Sequence, residues 1–272
     1  MSLPIPLFFS RADTHPNLGD DLSPYIVNKL SGRAVSIVSK EHPNSLLAIG
    51  SILELGVFPT QTVWGSGFIK YGKFRVASKV FCVRGPLSLN ILDSATCIPV
   101  GDPALLMPRV YQANSDKLYD IGIIPHYIDQ QSFIRRFKRD SSASHVVLNI
   151  KSTNFERFID KLCECRFVVS SSLHGLILAH AYNIPAVWIE LSDQVIGRGF
   201  KFADYLLSVS IPFYNAVNLK SGEIKLSEMI AIKHNYRRFS KIINFNDAGL
   251  LNSLEHAIEH VDTVIREAQN YR

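Results

Sequence analysis

Long apolar runs are missing from this chain of 272 residues. No stretch approaches the ~18 apolar residues that span a bilayer, and the start Met1-Ser2-Leu3-Pro4 has neither the basic flank nor the small-residue cleavage site of a secretory leader. A cytoplasmic protein is expected. Cysteine is scarce as well. Cys82, Cys97, Cys163 and Cys165 are too few and too irregularly spaced for a disulfide framework, and a single residue separates the last two where redox and zinc motifs need more. Reduced, mostly buried thiols are expected. Nor is there an excess of one charge: 29 Lys and Arg against 24 Asp and Glu leave a net +5, spread along the chain. That balance suits an acidic small molecule or an anionic membrane surface and gives no argument for nucleic acid. No internal repeat or low-complexity tract is present, which excludes solenoids and disordered tails.

What is there is an ordinary globular composition, 47% hydrophobic and 19% charged. Short runs rich in β-branched and aromatic residues alternate with helical stretches, the pattern of a parallel sheet flanked by helices. In the first half, strands are expected over 5–10, 34–38, 46–49, 62–64, 79–83 and 96–100, with helices over 20–30 and 86–92. Met107-Pro108-Arg109 and the polar stretch Gln112 to Lys117 read as a boundary. After it the alternation restarts, with strands over 119–124, 145–150, 167–170 and 186–190 and helices over 129–139, 154–163 and 173–182. The last third reads as helical near 200–207, 227–242 and 247–269. The expected class is α/β, with two Rossmann-like domains over 1–112 and 118–225 and a helical C-terminal segment over 226–272 that can pack back on the first domain. Arg135, Arg136, Lys138 and Arg139 read as a solvated helix face.

The most informative segment runs from Phe167 through Ser170-Ser171-Ser172-Leu173-His174-Gly175 to Pro185. A buried strand enters three serines and then an apolar helix, so amide donors, hydroxyls and the positive end of a helix converge where anions bind. One serine as a cap with His174 merely packed is the plainer alternative. His180 lies on another face of the helix and reads as structural. Asn17-Leu18-Gly19-Asp20-Asp21 can supply a helix cap from either aspartate, or Asn17 and Asp20 can touch a sugar hydroxyl. Gly65-Ser66-Gly67 resembles half a phosphate loop. Arg84, at a strand's end, suits either a carboxylate clamp or a structural salt bridge. Gly197-Arg198-Gly199-Phe200-Lys201 is a basic turn that can close over a phosphate or stay a loop with exposed charges.

Taken in order, these pieces resemble a known family. Asn17-Leu18-Gly19-Asp20, Trp64-Gly65-Ser66-Gly67, Arg84-Gly85-Pro86, Gly101-Asp102-Pro103-Ala104-Leu105-Leu106, Ile124-Pro125-His126-Tyr127 and Ser171-Ser172-Leu173-His174-Gly175 together resemble the polysaccharide pyruvyl transferases. Trp188-Ile189-Glu190 and Gly199-Phe200-Lys201-Phe202, with Asp204-Tyr205, are similar to the branch acting in bacterial exopolysaccharide assembly. The resemblance implies a fold like the B-type (GT-B) two-domain glycosyltransferases and transfer of pyruvate from phosphoenolpyruvate, the co-substrate, to two hydroxyls of a sugar or lipid-linked oligosaccharide. It implies no metal and no other cofactor. By the same resemblance His174 matches the catalytic histidine and Arg84 a basic residue holding the donor. Ser170, Ser171, Ser172, Leu173, Gly175 and His126 are expected around that donor. Asn17, Gly19 and Ser66 are expected on the acceptor side, and Asp20 or Glu190 as the base. Many members carry arginine at the position of Ser172, so Arg198, Lys201 or another cation is expected to replace it.

Two other functions share this architecture, a glycosyltransferase using a nucleotide sugar and a non-catalytic glycan-binding or assembly protein. For the basic and aromatic stretch Lys233 to Lys241, a solvated face and peripheral contact with the inner face of the plasma membrane are the two readings.

Overall fold

The β-branched runs line up side by side in one direction, as strands joined through helices do. A computed structural model of the chain describes residues 3–10, 16–55, 60–74, 79–92, 97–113, 115–236 and 243–270. Its first half comprises β1 (Ile5–Phe8), α1 (Leu18–Ser31), β2 (Val35–Ile37), β3 (Leu46–Leu47), β4 (Thr62–Trp64), β5 (Lys79–Cys82) and α2 (Pro86–Ile91). These strands form a five-stranded parallel sheet in the order β2-β1-β3-β4-β5. After α3 (Met107–Val110) come β6 (Ile121–Ile124), α4 (Gln130–Arg136), β7 (Phe137–Lys138), β8 (His145–Val147), α5 (Phe155–Cys163), β9 (Val168–Ser170), α6 (Leu173–Ala181), β10 (Ala186–Glu190), α7 (Phe200–Ser208) and β11 (Val217–Asn218). The second five-stranded parallel sheet has the order β11-β10-β9-β6-β8. β12 (Ile224–Lys225) pairs with β7, and α8 (Leu226–Asn235) and α9 (Asp247–Asn270) end the described chain.

Local chemistry explains the helix starts. Asn154 caps α5 by accepting from the Arg157 amide at 2.9 Å, and Pro86 opens α2, where a missing donor costs nothing. At α1 the cap residue is Asn17, whose backbone N–H donates to Asp21 Oδ2 at 3.0 Å. Asp21 therefore serves the helix end, and Asp20 is left for other work. The inner strands β6 and β9 are buried throughout, and β10 along all but its last residue, as strands covered on both faces must be.

Five expectations change. Met107-Pro108-Arg109, read as part of a boundary, are helical: Asp102 caps a 3-10 turn over Pro103–Leu106 and α3 follows, with Met107 wholly buried. This segment packs between α1 and α6, so it joins the two halves through apolar contact. The helix expected over 129–139 stops at Arg136 because Phe137 and Lys138 pair with Ile224 and Lys225. Arg136 is not solvated: its guanidinium donates to the carbonyls of Leu191, Leu219 and Gly222. Of the strand expected over 96–100, Thr96 lies outside the described residues and only Val100 bridges Val83. Helix α8 ends at Asn235, and the basic residues expected beyond it, from Arg237 to Lys241, also lie outside the described residues.

The C-terminal helix returns to the first sheet. Leu250, Leu254, Ala257 and Val261 of α9 are buried against β4 and β5, and the indole of Trp64 donates to the Leu250 carbonyl at 3.0 Å. Among the described residues no helix is long and apolar enough to cross a membrane. Three of the four cysteines are buried and Cys97 is exposed; all four are free thiols.

Candidate active site

In parallel sheets ligands gather beyond the carboxyl ends of strands, and here β9 delivers Ser170-Ser171-Ser172 into α6 at such an end. Ser172 occupies the cap position of α6 but its hydroxyl makes no capping bond. A cavity of about 180 Å³ opens there, walled by Ser172, Leu173 and His174, by Asn17 and Asp20 of the first half, and by His126 and Lys201.

His174 is 9% exposed, and its Nε2 is buried with no hydrogen-bond partner among the described residues. Its position is set by Gly19, since a Cβ built there would fall 1.7 Å from His174 Nδ1. The first turn of α1 thus presses against the imidazole. Burial pushes the imidazole down to about 3, and the positive charges of Lys201 and Arg84 push in the same direction. His174 is therefore neutral near pH 7.

Asp20 behaves oppositely. Burial lifts its carboxyl to about 7, against the pull of Lys201 and of the Asn17 amide, which donates to Oδ2 at 2.6 Å. Lys201 is half-buried and makes no ion pair among the described residues. Burial and Arg84 bring its ammonium down to about 8, with Asp20 holding it up. The cavity therefore holds a carboxyl and an amine that both change charge near neutral pH, beside an imidazole with a spare nitrogen. Such a set suits proton transfer beside an anion.

Several expected residues lie elsewhere. Arg84 is 1% exposed and sits behind the cavity wall. Its Nε donates to Asp204 Oδ2 at 3.0 Å, one Nη donates to Ser51 Oγ at 2.6 Å, and the other reaches the Phe68 carbonyl. Gly67 makes room for it: a Cβ there would fall 2.5 Å from the guanidinium carbon. This is the salt-bridge alternative, with Nε and both Nη groups each engaged inside the protein. Asp204 also accepts from the amide and hydroxyl of Ser88, so it ties α7 to the start of α2.

Ser170 is turned inward, donating to the Ile124 and Ser172 carbonyls. Ser66 is wholly buried and donates to the Ala48 carbonyl at 2.6 Å, which removes it from any acceptor surface. Gly175 serves packing, because a Cβ there would stand 2.5 Å from Ser170 Oγ. Glu190, Arg198 and Ser171 face a second cavity instead, and Glu190 pairs with Lys220 at 2.8 Å. His180, expected to be structural, is buried with Nδ1 2.9 Å from the Tyr205 hydroxyl. Ser10, Ser51, Ile52 and Ile69 line the first cavity without any signal in the sequence. Tyr127 and Asp204 at least stood inside motifs.

These features describe an α/β protein with parallel sheets and a small, charge-bearing cavity at the mouth of a helix. Residues 64–193 match the model of the polysaccharide pyruvyl transferase family. The matched segment includes Arg84, His126, Ser172 and His174, and leaves out Asp20 and Lys201. Over 201 residues the chain is 27% identical to an uncharacterized protein of Acanthamoeba polyphaga mimivirus, covering 70% of each. It is 26% identical over 211 residues to the succinoglycan biosynthesis protein ExoV of Rhizobium meliloti, covering 73% of this chain and 63%, less than two thirds, of that relative. A crystal structure of an uncharacterized protein from Klebsiella pneumoniae has a TM-score of 0.45 at 14% identity, over 80% of this chain and 93% of that one. The motifs from Trp64 to Glu190 thus lie within the stretch that matches the family model.

Proposed function

We propose that the chain transfers the pyruvyl group of phosphoenolpyruvate to two hydroxyls of a sugar, in a bacterial cell-surface polysaccharide or its lipid-linked precursor, closing a ketal and releasing phosphate. One observation carries this reading: Asp20, His174 and Lys201 meet in a cavity of about 180 Å³. That volume is below the ~300–1,000 Å³ of ordinary ligand sites, so it suits a three-carbon acid phosphate better than a nucleoside diphosphate sugar. Lys201 shares the cavity with Ser172 and takes the place of the arginine that many family members carry there. An architecture like that of the two-domain B-type glycosyltransferases and a cytoplasmic location go with this reading, and the two parallel sheets support the former.

The donor's carboxylate and phosphate set negative charge against the neutral imidazole and raise its affinity for a proton. Protonated His174 gives that proton to the methylene carbon of the enol phosphate while the first sugar hydroxyl bonds to the neighbouring carbon. Asp20, as carboxylate, takes the hydroxyl's proton. The second hydroxyl then bonds to the same carbon as its bond to the phosphate oxygen breaks, and the phosphate leaves with the second hydroxyl's proton. Asp20 loses its proton to solvent and His174 regains one, so the site is reset with no metal and no cofactor beyond the co-substrate. Lys201 and the start of α6 neutralise the departing charge.

The test is phosphate release from phosphoenolpyruvate in the presence of methyl hexosides, by the wild-type protein and by His174→Ala. Release that depends on both substrates and falls by ~10²-fold or more in the variant is expected. Wild-type protein stabilised against heat by a nucleotide sugar and not by phosphoenolpyruvate, with no phosphate released, would transfer the site to the nucleotide-sugar glycosyltransferases.

A further inference from the structure

Beyond the first cavity lies a second, of about 480 Å³, at the carboxyl end of β10. Its floor is an aromatic wall: Trp188 stacks on Phe202 with ring centroids 4.4 Å apart and planes within 8°. Glu190 and Lys220 stand half-buried above it, paired at 2.8 Å, and Lys220 also reaches Asp193 at 2.7 Å. Arg198 stands exposed at the rim, with no ion pair or hydrogen bond among the described residues.

Two devices build this cavity. The buried carboxylate of Asp129 takes hydrogen bonds from the hydroxyls of Ser171 and Ser192, locking the end of β9 to the loop after β10. Arg136 holds the carbonyls of Leu219 and Gly222 on either side of Lys220. At the rim, Arg198 adopts a left-handed backbone, φ 44°, between Gly197 at φ 104° and Gly199 at φ 82°. A side chain at Gly197 would strike the Ile69 carbonyl at 2.2 Å, and one at Gly199 the Trp188 ring at 2.7 Å. Non-glycine residues held in that region persist where the surroundings impose it, and such outliers cluster at ligand sites.

The four charges, Glu190, Asp193, Lys220 and Arg198, sum to zero. Phosphate would gain little here, whereas a neutral polyhydroxyl ligand needs carboxylates to accept its hydroxyl protons, cations to donate to its oxygens, and an apolar wall for its ring. Ser171 and Ser172 wall the second and first cavities in turn, as do Phe202 and Lys201. The cavities therefore lie back to back across single peptide units. We infer that the second cavity is a binding site for an uncharged hexose, held by Arg198, Lys220 and the acids beside them, on the other side of the Ser171–Ser172 wall from the reacting groups. The hexose site stands on its own residues and does not depend on the proposed pyruvyl transfer.

Saturation-transfer NMR with methyl glucoside, galactoside and mannoside tests this directly, on wild-type protein and on Arg198→Asn, Lys220→Met and Lys201→Ala. Asparagine tolerates the left-handed backbone, so the first variant removes charge without adding strain. Saturation transfer to at least one hexoside, lost in Arg198→Asn or Lys220→Met and kept in Lys201→Ala, is expected. Absence of transfer to every hexoside in the wild type, transfer surviving in both rim variants, or loss in Lys201→Ala would overturn the inference. Failure of pyruvyl transfer itself would look different, as no saturation transfer to phosphoenolpyruvate and no phosphate release while the hexoside signals remain.

Discussion

Gly19 of α1 and His174 of α6 occupy one another's space so closely that a single added methyl would stand 1.7 Å from Nδ1 of the imidazole. The first half of the chain thereby positions the reactive side chain of the second. Gly19→Ala must displace His174. Overpacking of this kind costs ~1–3 kcal/mol of stability, and a shift of about 1 Å in a reacting group can cost ~10²-fold in rate. We expect turnover to drop by about that factor while the variant remains folded, measured by phosphate release alongside thermal unfolding.

Asp20 links the cavity to stability through pH. Burial, the dominant influence, raises its folded pKa from 3.8 to about 7, so the folded state keeps a proton that the unfolded state has released. Its favourable contribution is complete below the unfolded pKa and is lost as pH rises to the folded one. His174, lowered to about 3, acts with the opposite sign between that value and 6.5. The difference between wild type and Asp20→Asn therefore isolates the carboxyl. We expect the asparagine variant to gain stability relative to wild type as pH climbs from 3.8 to about 7, with transfer lost. Denaturant midpoints across that window measure the first, and phosphate release the second. A constant difference would mean that Asp20 is not raised.

Arg84 and Asp204 form a buried pair at 3.0 Å, with exposures of 1% and 0%. Removing one partner of such a pair strands a charge and costs ~3–5 kcal/mol. Asp204→Ala should lower the free energy of unfolding by that amount, read from denaturant unfolding. Arg84→Ala should also act on stability, with the apparent affinity for phosphoenolpyruvate little changed in protein that remains folded. A steep loss of affinity at unchanged stability would restore the donor-clamp role.

Lys201 and Ser172 wall the same cavity. If Lys201 supplies the cation that other family members place at 172, Lys201→Ala should weaken phosphoenolpyruvate binding by ~10-fold or more, as loss of a charge-assisted contact of ~1.5–3 kcal/mol predicts. Ser172→Arg should restore part of it. Isothermal titration of the donor reads both, and a double variant no better than the single one would separate the two positions.

Much of this was legible in the order of residues. β4 and β10 fall where their β-branched runs begin and end, and the apolar helix after Ser172 follows from its neighbours, because period and local capping are properties of nearby residues. His174 was found as the centre of the motif that carries it. The ends of α4 and the fate of residues 103–110 were not legible, since pairing with β12 and packing between α1 and α6 depend on segments far away in the chain. Asp20 and Glu190 stood as alternative bases, and Lys201 and Arg198 as alternative cations; only the folded chain separates each pair into different cavities.

The sequence by itself determined the alternation of strands and helices, the family motifs and the histidine, because each is written in neighbouring residues. Tertiary structure decided which charges share a cavity: Asp20 over Asp21, Lys201 over Arg198, and Arg84 as a brace behind the wall. The physical reason is that burial and pairing, which set whether a charge is available, depend on groups brought together from opposite halves of the chain.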